Sequence, residues 1–118
     1  MTHALEPRRR GEYFTGMRSG WVDERRRLLA ELAATARAAA AEAAYAAERQ
    51  SDAQRLAETV LAADPLREAM WRTVMRIRGA AGDYDGVIAA FAQCERALRA
   101  AGIAPADSTR ALLHQLRR

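Results

Sequence analysis

The fold is decided by residues 51–91, which read SDAQRLAETVLAADPLREAMWRTVMRIRGAAGDYDGVIAAF. Apolar side chains recur in this stretch at steps of three and four, as they do on the buried face of an amphipathic helix. Short polar, proline or glycine residues interrupt the pattern at Ser51-Asp52, Asp64-Pro65 and Gly82-Asp83. The pattern therefore predicts three consecutive helices, one before Asp64, one from Pro65 to about Ala81 and one after Asp83.

The interrupting residues also predict how these helices start. A short side-chain oxygen at a helix N-terminus accepts a hydrogen bond from a free backbone amide. We expect such caps from Ser51-Asp52, Asp64 and Asp83, and from Asp107-Ser108 for a last helix. Pro65 is predicted at the first position of its helix, where a missing N–H costs no hydrogen bond.

The flanking sequence extends the helical pattern in both directions. An apolar stripe from Trp21 to about Arg49 predicts a long first helix that becomes rich in alanine, with a break near the alanine tract left open. Gly102 is expected to end the fourth helix, and leucines follow in the fifth. Residues 1–20 contain one proline and three glycines and are predicted as an irregular lead-in. No segment alternates as a strand would, so the fold class is all-α with about five helices.

The helices also recur in pairs. Asp52-Ala53 and Asp83-Tyr84 open corresponding helices at a spacing close to the roughly 34-residue tetratricopeptide period. Units of this kind bury their apolar faces only by stacking on one another, and about two and a half units fit into this chain. We therefore predict tetratricopeptide-like helical hairpins over residues 21–118, with faces left over for a partner.

The composition restricts the function. The chain has 118 residues, of which 50% are hydrophobic. Its formal net charge is +4, and all 19 of its basic residues are arginines, since the sequence contains no lysine. Alanine and arginine both have GC-rich codons, so the basic charge is weak evidence for nucleic-acid binding. The first residues lack the apolar core of a signal peptide, and no apolar run is long enough to span a membrane. We expect a soluble, cytoplasmic protein.

No catalytic constellation is recognisable in the sequence. Cys94 lies on an apolar stripe, where burial would raise its pKa and make the thiol inert. His3 and His114 have no acid or thiol at motif spacing, and Asp83 and Asp85 lack the further oxygen ligands of a calcium site. We predict that the chain is not an enzyme and holds no cofactor or metal.

Residues 64–75, DPLREAMWRTVM, resemble the DPLxExxWxxLM motif of the bacterial transcriptional activator domain, the tetratricopeptide-like part of the Streptomyces antibiotic regulatory proteins. Four further stretches are similar to that family in the same order: residues 11–16 with 21–25, residues 82–84, residues 102–105 and residues 109–112. The resemblance covers residues 11–118, nearly the whole chain.

The resemblance implies an all-helical right-handed superhelix in a transcription regulator. In such regulators the domain follows a winged-helix DNA-binding domain, packs against it and helps dimerisation. The residues before Trp21 are too few for a winged helix, so we expect none in this chain. The expected partner is a separate winged-helix domain or a second copy of the chain in a homo-oligomer. No contact with a membrane is expected.

Five residues are candidates for these contacts: Tyr13, Phe14, Trp21, Arg72 and Arg76. Large aromatics are frequent anchors of interfaces, but Trp21 and Trp71 also lie where a helix core needs them. The basic candidates belong to a proposed basic outer side of the third helix, formed by Arg67, Arg72, Arg76 and Arg78, for which a solvated helix face is the simpler interpretation.

Two other functions stay open at this stage. The chain could be a stand-alone tetratricopeptide-like adaptor that binds a peptide in its concave groove, although the inward positions of the first and third helices look mostly apolar. It could also contact nucleic acid weakly and nonspecifically through its arginines, but these are dispersed along the sequence rather than clustered.

Overall fold

A computed structural model describes residues 2–117 of the chain, with side chains from Gly20 to Arg117. Five α-helices follow one another: α1 (Thr2–Ala46), α2 (Gln50–Ala63), α3 (Glu68–Ala80), α4 (Tyr84–Ala100) and α5 (Asp107–Leu116). No strand occurs in the described part of the chain. The predicted all-α, tetratricopeptide-like architecture is therefore confirmed.

Helix α1 differs from its prediction at both ends. It starts at Thr2, whereas residues 1–20 were expected to be irregular, and it ends at Ala46 rather than near Arg49, with no break in the alanine tract. Glycine lowers helix propensity by about 1 kcal/mol per residue but does not forbid a helix. The chain divides into two compact units, residues 1–34 and residues 35–118. The proposed boundary between a lead-in and a domain at residue 20 stays a prediction.

The second unit is built around α3, which packs against α2, α4 and α5. Its Met70, Val74 and Met75 are almost completely buried, and Trp71 is 9% exposed, as the core interpretation of that tryptophan predicted. Each such side chain contributes roughly 1.5–3 kcal/mol by leaving water. The side chains that complete the main core come from all the neighbouring helices: Ala41, Ala57, Val60, Leu61, Val87, Ala90, Cys94, Leu98 and Leu112.

The turns after α1, α3 and α4 close in the same way. A residue in the left-handed region ends each helix, and the next amide reaches back five residues to a helical carbonyl. Gly82 and Gly102, with φ of 75° and 74°, occupy this position after α3 and α4, which confirms both predicted glycine stops. After α1 this position is occupied by Glu48 with φ of 61°. Because the residue is not a glycine, the sequence did not predict this helix end.

Three of the four predicted caps are wrong. Helix α2 starts at Gln50, so Ser51-Asp52 lies inside its first turn, and α3 starts at Glu68 rather than at Pro65. Helix α5 starts at Asp107, and the residue before it, Ala106, has no capping side chain. Asp83 caps as predicted: its Oδ1 accepts a hydrogen bond of 2.9 Å from the Gly86 amide. Acidic side chains are favourable anywhere in a first turn, which explains why their positions in the sequence were ambiguous.

The Asp83 cap predicts a strict requirement for glycine at position 86. A Cβ there would overlap the Asp83 carboxylate and lie 2.9 Å from Cδ of Arg78. We expect Gly86→Ala to lower the free energy of unfolding by about 2 kcal/mol, since losing a cap alone costs about 1 kcal/mol. Urea unfolding measures the change.

Gly20→Ala is the matched control, because nothing lies within 4 Å of a Cβ at that helical position. This variant should gain up to about 1 kcal/mol of helix stability. Equal stability of Gly86→Ala and the unsubstituted chain would contradict the prediction.

Candidate protein-interaction surface

Helix α1 carries a row of exposed, large apolar side chains in the first unit. Trp21 is 62% exposed, and Leu28, Leu29 and Leu32 are between 56% and 60% exposed, with Val22 beside them at 38%. We call these five residues the α1 stripe. Their spacing places them on one side of the helix. Contiguous exposed apolar surface of this kind marks an interaction site more often than a chance feature.

Trp21 shapes the N-terminal end of the α1 stripe. The guanidinium carbon of Arg25 lies 5.4 Å from the centroid of the Trp21 ring, a cation–π contact. Trp21, Glu24, Arg25 and Leu28 together line a shallow apolar cleft with one acid and one base at its edge. The core interpretation of Trp21 is therefore wrong, because more than half of this residue is exposed, and the alternative of an exposed aromatic agrees with its position.

Three arginines of the proposed basic outer side of α3 are used inside the domain. Arg67 is 3.4 Å from Asp64, Arg72 donates to the Thr109 hydroxyl at 2.9 Å, and Arg78 donates to the Gly86 carbonyl at 2.9 Å. The basic outer side predicted for this helix therefore reduces to Arg76, which is exposed. Arg72, a predicted contact residue, has a structural role.

Arg72 belongs to a polar cluster that joins α3 to α5. Oε2 of Glu68 accepts a hydrogen bond of 2.7 Å from the Ala106 amide and a short one from the Thr109 hydroxyl, and lies 3.8 Å from Arg72. Thr109 is completely buried. Glu68 thus provides, from another helix, the cap that α5 lacks in its own sequence. The contacting residues are up to 41 positions apart, so helical spacing gave no sign of this cluster.

The turn before α3 is fixed by two further side chains. Oδ1 of Asp64 accepts a hydrogen bond of 3.2 Å from the Leu66 amide, which is an Asx turn. The indole N–H of Trp71 donates to the Pro65 carbonyl at 2.8 Å. Trp71 therefore contributes both apolar burial and a hydrogen bond that holds the entry to its own helix.

Arg76 lines a second, more polar surface groove in the second unit. The groove is also bordered by Glu42, Tyr45 and Ala46 of α1 and by Thr73 of α3. It offers a cation, an acid and an aromatic ring on facing helices. The two remaining candidates, Tyr13 and Phe14, lie outside the residues whose side chains are described.

Cys94 is completely buried in α4, and burial raises the pKa of its thiol from 9.0 to about 11, with the nearby Glu68 carboxylate as a smaller cause. This agrees with the predicted inert thiol. The unfolded thiol ionises at lower pH than the native one, so ionisation favours the unfolded chain. We expect the free energy of unfolding to be unaffected below pH 9 and to fall by about 2 kcal/mol as the pH rises to 11.

The measurement is urea unfolding across this pH range, compared with Cys94→Ala. That variant has no thiol to ionise and should lose less stability between pH 9 and pH 11. Identical pH profiles for the two chains would contradict the raised pKa.

Other site types gain no support from the described residues. No helix there is long and apolar enough to cross a membrane. Among the same residues, no three acidic, histidine or cysteine side chains are grouped so that they could hold a metal ion.

The described helices stack as hairpins and form an all-helical domain of the tetratricopeptide-like class. Trp71 fixes the turn before α3, and Glu68 of α3 caps the C-terminal helix α5. The model of one family, the bacterial transcriptional activator domain, matches residues 9–117. The chain belongs to this family. Its membership assigns it to a domain of transcription regulators rather than to a family of enzymes. Searches of curated proteins and of solved structures give no significant match.

Proposed function

We propose that this chain is the protein-interaction and dimerisation module of a cytoplasmic bacterial transcription regulator of the Streptomyces antibiotic regulatory type. The α1 stripe is the single observation that carries this proposal. Four large apolar side chains, each more than half exposed, lie on one helix face of a domain whose family belongs to transcriptional activators. A protein partner that covers them removes apolar surface from water.

The partner that fits this role is a winged-helix DNA-binding domain or a second copy of the chain. Large apolar side chains grouped around a tryptophan are the usual energetic centre of a protein interface. The module acts by holding DNA-binding units at a fixed distance from one another. That distance selects the promoters at which two units bind at once, since linked binding events raise occupancy through effective concentration.

A stand-alone peptide-binding adaptor is the alternative, and the groove beside Arg76 favours it. Glu42, Tyr45 and Arg76 would offer opposite charges and a ring to a peptide backbone and its side chains. This function needs no contact through the α1 stripe. Nucleic-acid contact by the chain itself has less support, because Arg67, Arg72 and Arg78 are engaged within the domain.

The experiment that separates the proposed function from the alternative fuses the full chain to a monomeric winged-helix DNA-binding domain. Binding is measured on DNA with one half-site and with two half-sites, at one fixed salt concentration. We expect the fusion to occupy two-site DNA at a concentration at least about tenfold lower than the unfused domain does. The two proteins should bind one-site DNA equally.

Equal binding of the fusion and the unfused domain to two-site DNA would overturn the proposed dimerisation function and favour the adaptor. A gain that appears equally on one-site DNA would also overturn it, because that result indicates direct contact between the chain and DNA. Such contact would weaken steeply with added salt.

A further inference from the structure

The order of the side chains along the α1 stripe indicates which kind of surface would cover them. Trp21, Arg25, Leu28 and Leu32 follow one another at steps of four, three and four. Steps of four and three are those of the seam positions in a two-helix coiled coil, in which each seam residue packs against the facing helix. Val22 and Leu29 widen the apolar seam on one side, and Glu24 and Glu31 border it on the other.

We infer that the α1 stripe pairs with the α1 stripe of a second copy in antiparallel orientation, with Arg25 of each copy bound to Glu31 of the other. The inference rests on the proposed dimerisation function and names the surface, the partner and the direction. It depends only on residues 21–32, all within the first compact unit.

The position of Arg25 decides the direction. A parallel pair in register would place the Arg25 side chains of the two copies opposite each other at the centre of the seam, and like charges there repel. In an antiparallel pair with Trp21 opposite Leu32, Arg25 faces Leu28 of the second copy. Two copies then pack their large apolar side chains against each other through an isologous contact.

The contact between Arg25 and Trp21 adds the charge complement. The Arg25 guanidinium lies over the Trp21 ring. It is therefore level with Trp21, about one helical turn N-terminal to the Arg25 Cα. In the antiparallel register this level lies opposite residues 31 and 32 of the second copy, where Glu31 borders the seam. The two-fold axis gives two such ion pairs per dimer.

The area of the surface is sufficient for a weak, specific dimer. The exposed parts of the α1 stripe amount to roughly 500 Å² per copy, or about 1,000 Å² in the pair, which is the lower limit for a specific interface. A small interface with a tryptophan at each end is suited to an association that strengthens when the chains are also held on neighbouring DNA sites.

Cysteine cross-linking with a short bismaleimide tests the direction in the full chain. In the antiparallel register Val22 lies next to Leu32 of the second copy, so a mixture of Val22→Cys and Leu32→Cys chains should give a heterodimer band. Each variant alone should give little product, because two Leu32 positions are about 16 Å apart along the helices. The native Cys94 is buried and does not compete for the reagent.

Cross-linking of Leu32→Cys alone would show a parallel pair and overturn the inference. Absence of a cross-link in every mixture would also overturn the inference. In that case the chain dimerises through another surface, or a different protein covers the α1 stripe. The DNA-binding gain of the fusion reports on the proposed function separately, since it requires association but no particular direction.

A charge exchange provides a second readout that survives if cysteine variants fold poorly. Arg25→Glu and Glu31→Arg should each weaken dimerisation about tenfold, and the double variant should recover most of the loss, because it restores two opposite charges per pair. Additive losses in the double variant would contradict the proposed ion pair.

Discussion

Replacing Leu28 and Leu32 together by serine is expected to abolish self-association of the chain at concentrations where the unsubstituted protein is dimeric. Both leucines are about 60% exposed, so the substitution removes no core contact. Each dimer would lose four buried leucine side chains, and burial of a leucine contributes roughly 1.5–3 kcal/mol. Even with strong non-additivity, the dissociation constant should rise by at least about 100-fold. Sedimentation equilibrium measures it.

Ala30→Ser with Ala33→Ser is the matched control for this prediction. Both alanines are exposed on α1 but lie off the seam, so the control introduces the same residue type twice into the same helix without removing large apolar side chains. Its dissociation constant should change less than about threefold. Both double variants should keep the helical content and the unfolding transition of the second unit. An unchanged dimer in the Leu28 and Leu32 variant would exclude the α1 stripe as the association surface.

The helical part of this fold could be predicted because it depends on local spacing. The apolar steps that end at Asp64, Gly82 and Gly102 gave the number and order of the helices, and Gly82 and Gly102 adopt the left-handed conformation expected of helix-ending glycines. The ends were less predictable. Acidic residues are favourable throughout a first turn, so Asp52, Asp64 and Asp107 did not distinguish a cap from its neighbours.

The candidate site shows what local spacing leaves out. A helical stripe gives the same pattern whether its face is covered by the same chain or by a partner, so the position of Trp21 could not be decided from periodicity alone. Arginines on an apparently outer face looked available, yet Arg72 and Arg78 find acceptors on other elements. Long-range contacts of this kind have no signal in a single sequence.

Glu68→Ala is expected to be the most destabilising single substitution of a polar residue in the second unit. Glu68 accepts hydrogen bonds from the Ala106 amide and the Thr109 hydroxyl, and its side chain is only 18% exposed. Its removal leaves the first turn of α5 without a cap and the partly buried Arg72 without its carboxylate. We expect a loss of about 3 kcal/mol in the free energy of unfolding, measured by urea denaturation.

A double-mutant cycle with Thr109→Val identifies the cause of that loss. If Glu68 acts by holding the N-terminus of α5, the two substitutions should be less costly together than the sum of their separate costs, with a coupling free energy of about 1–2 kcal/mol. Glu58→Ala is the matched control: Glu58 is exposed and accepts a hydrogen bond from Gln54 on its own helix, so its loss should cost less than about 0.5 kcal/mol. Since neither variant touches the α1 stripe, a strictly additive cycle would reject the capping role of Glu68 and leave the proposed interaction surface unaffected.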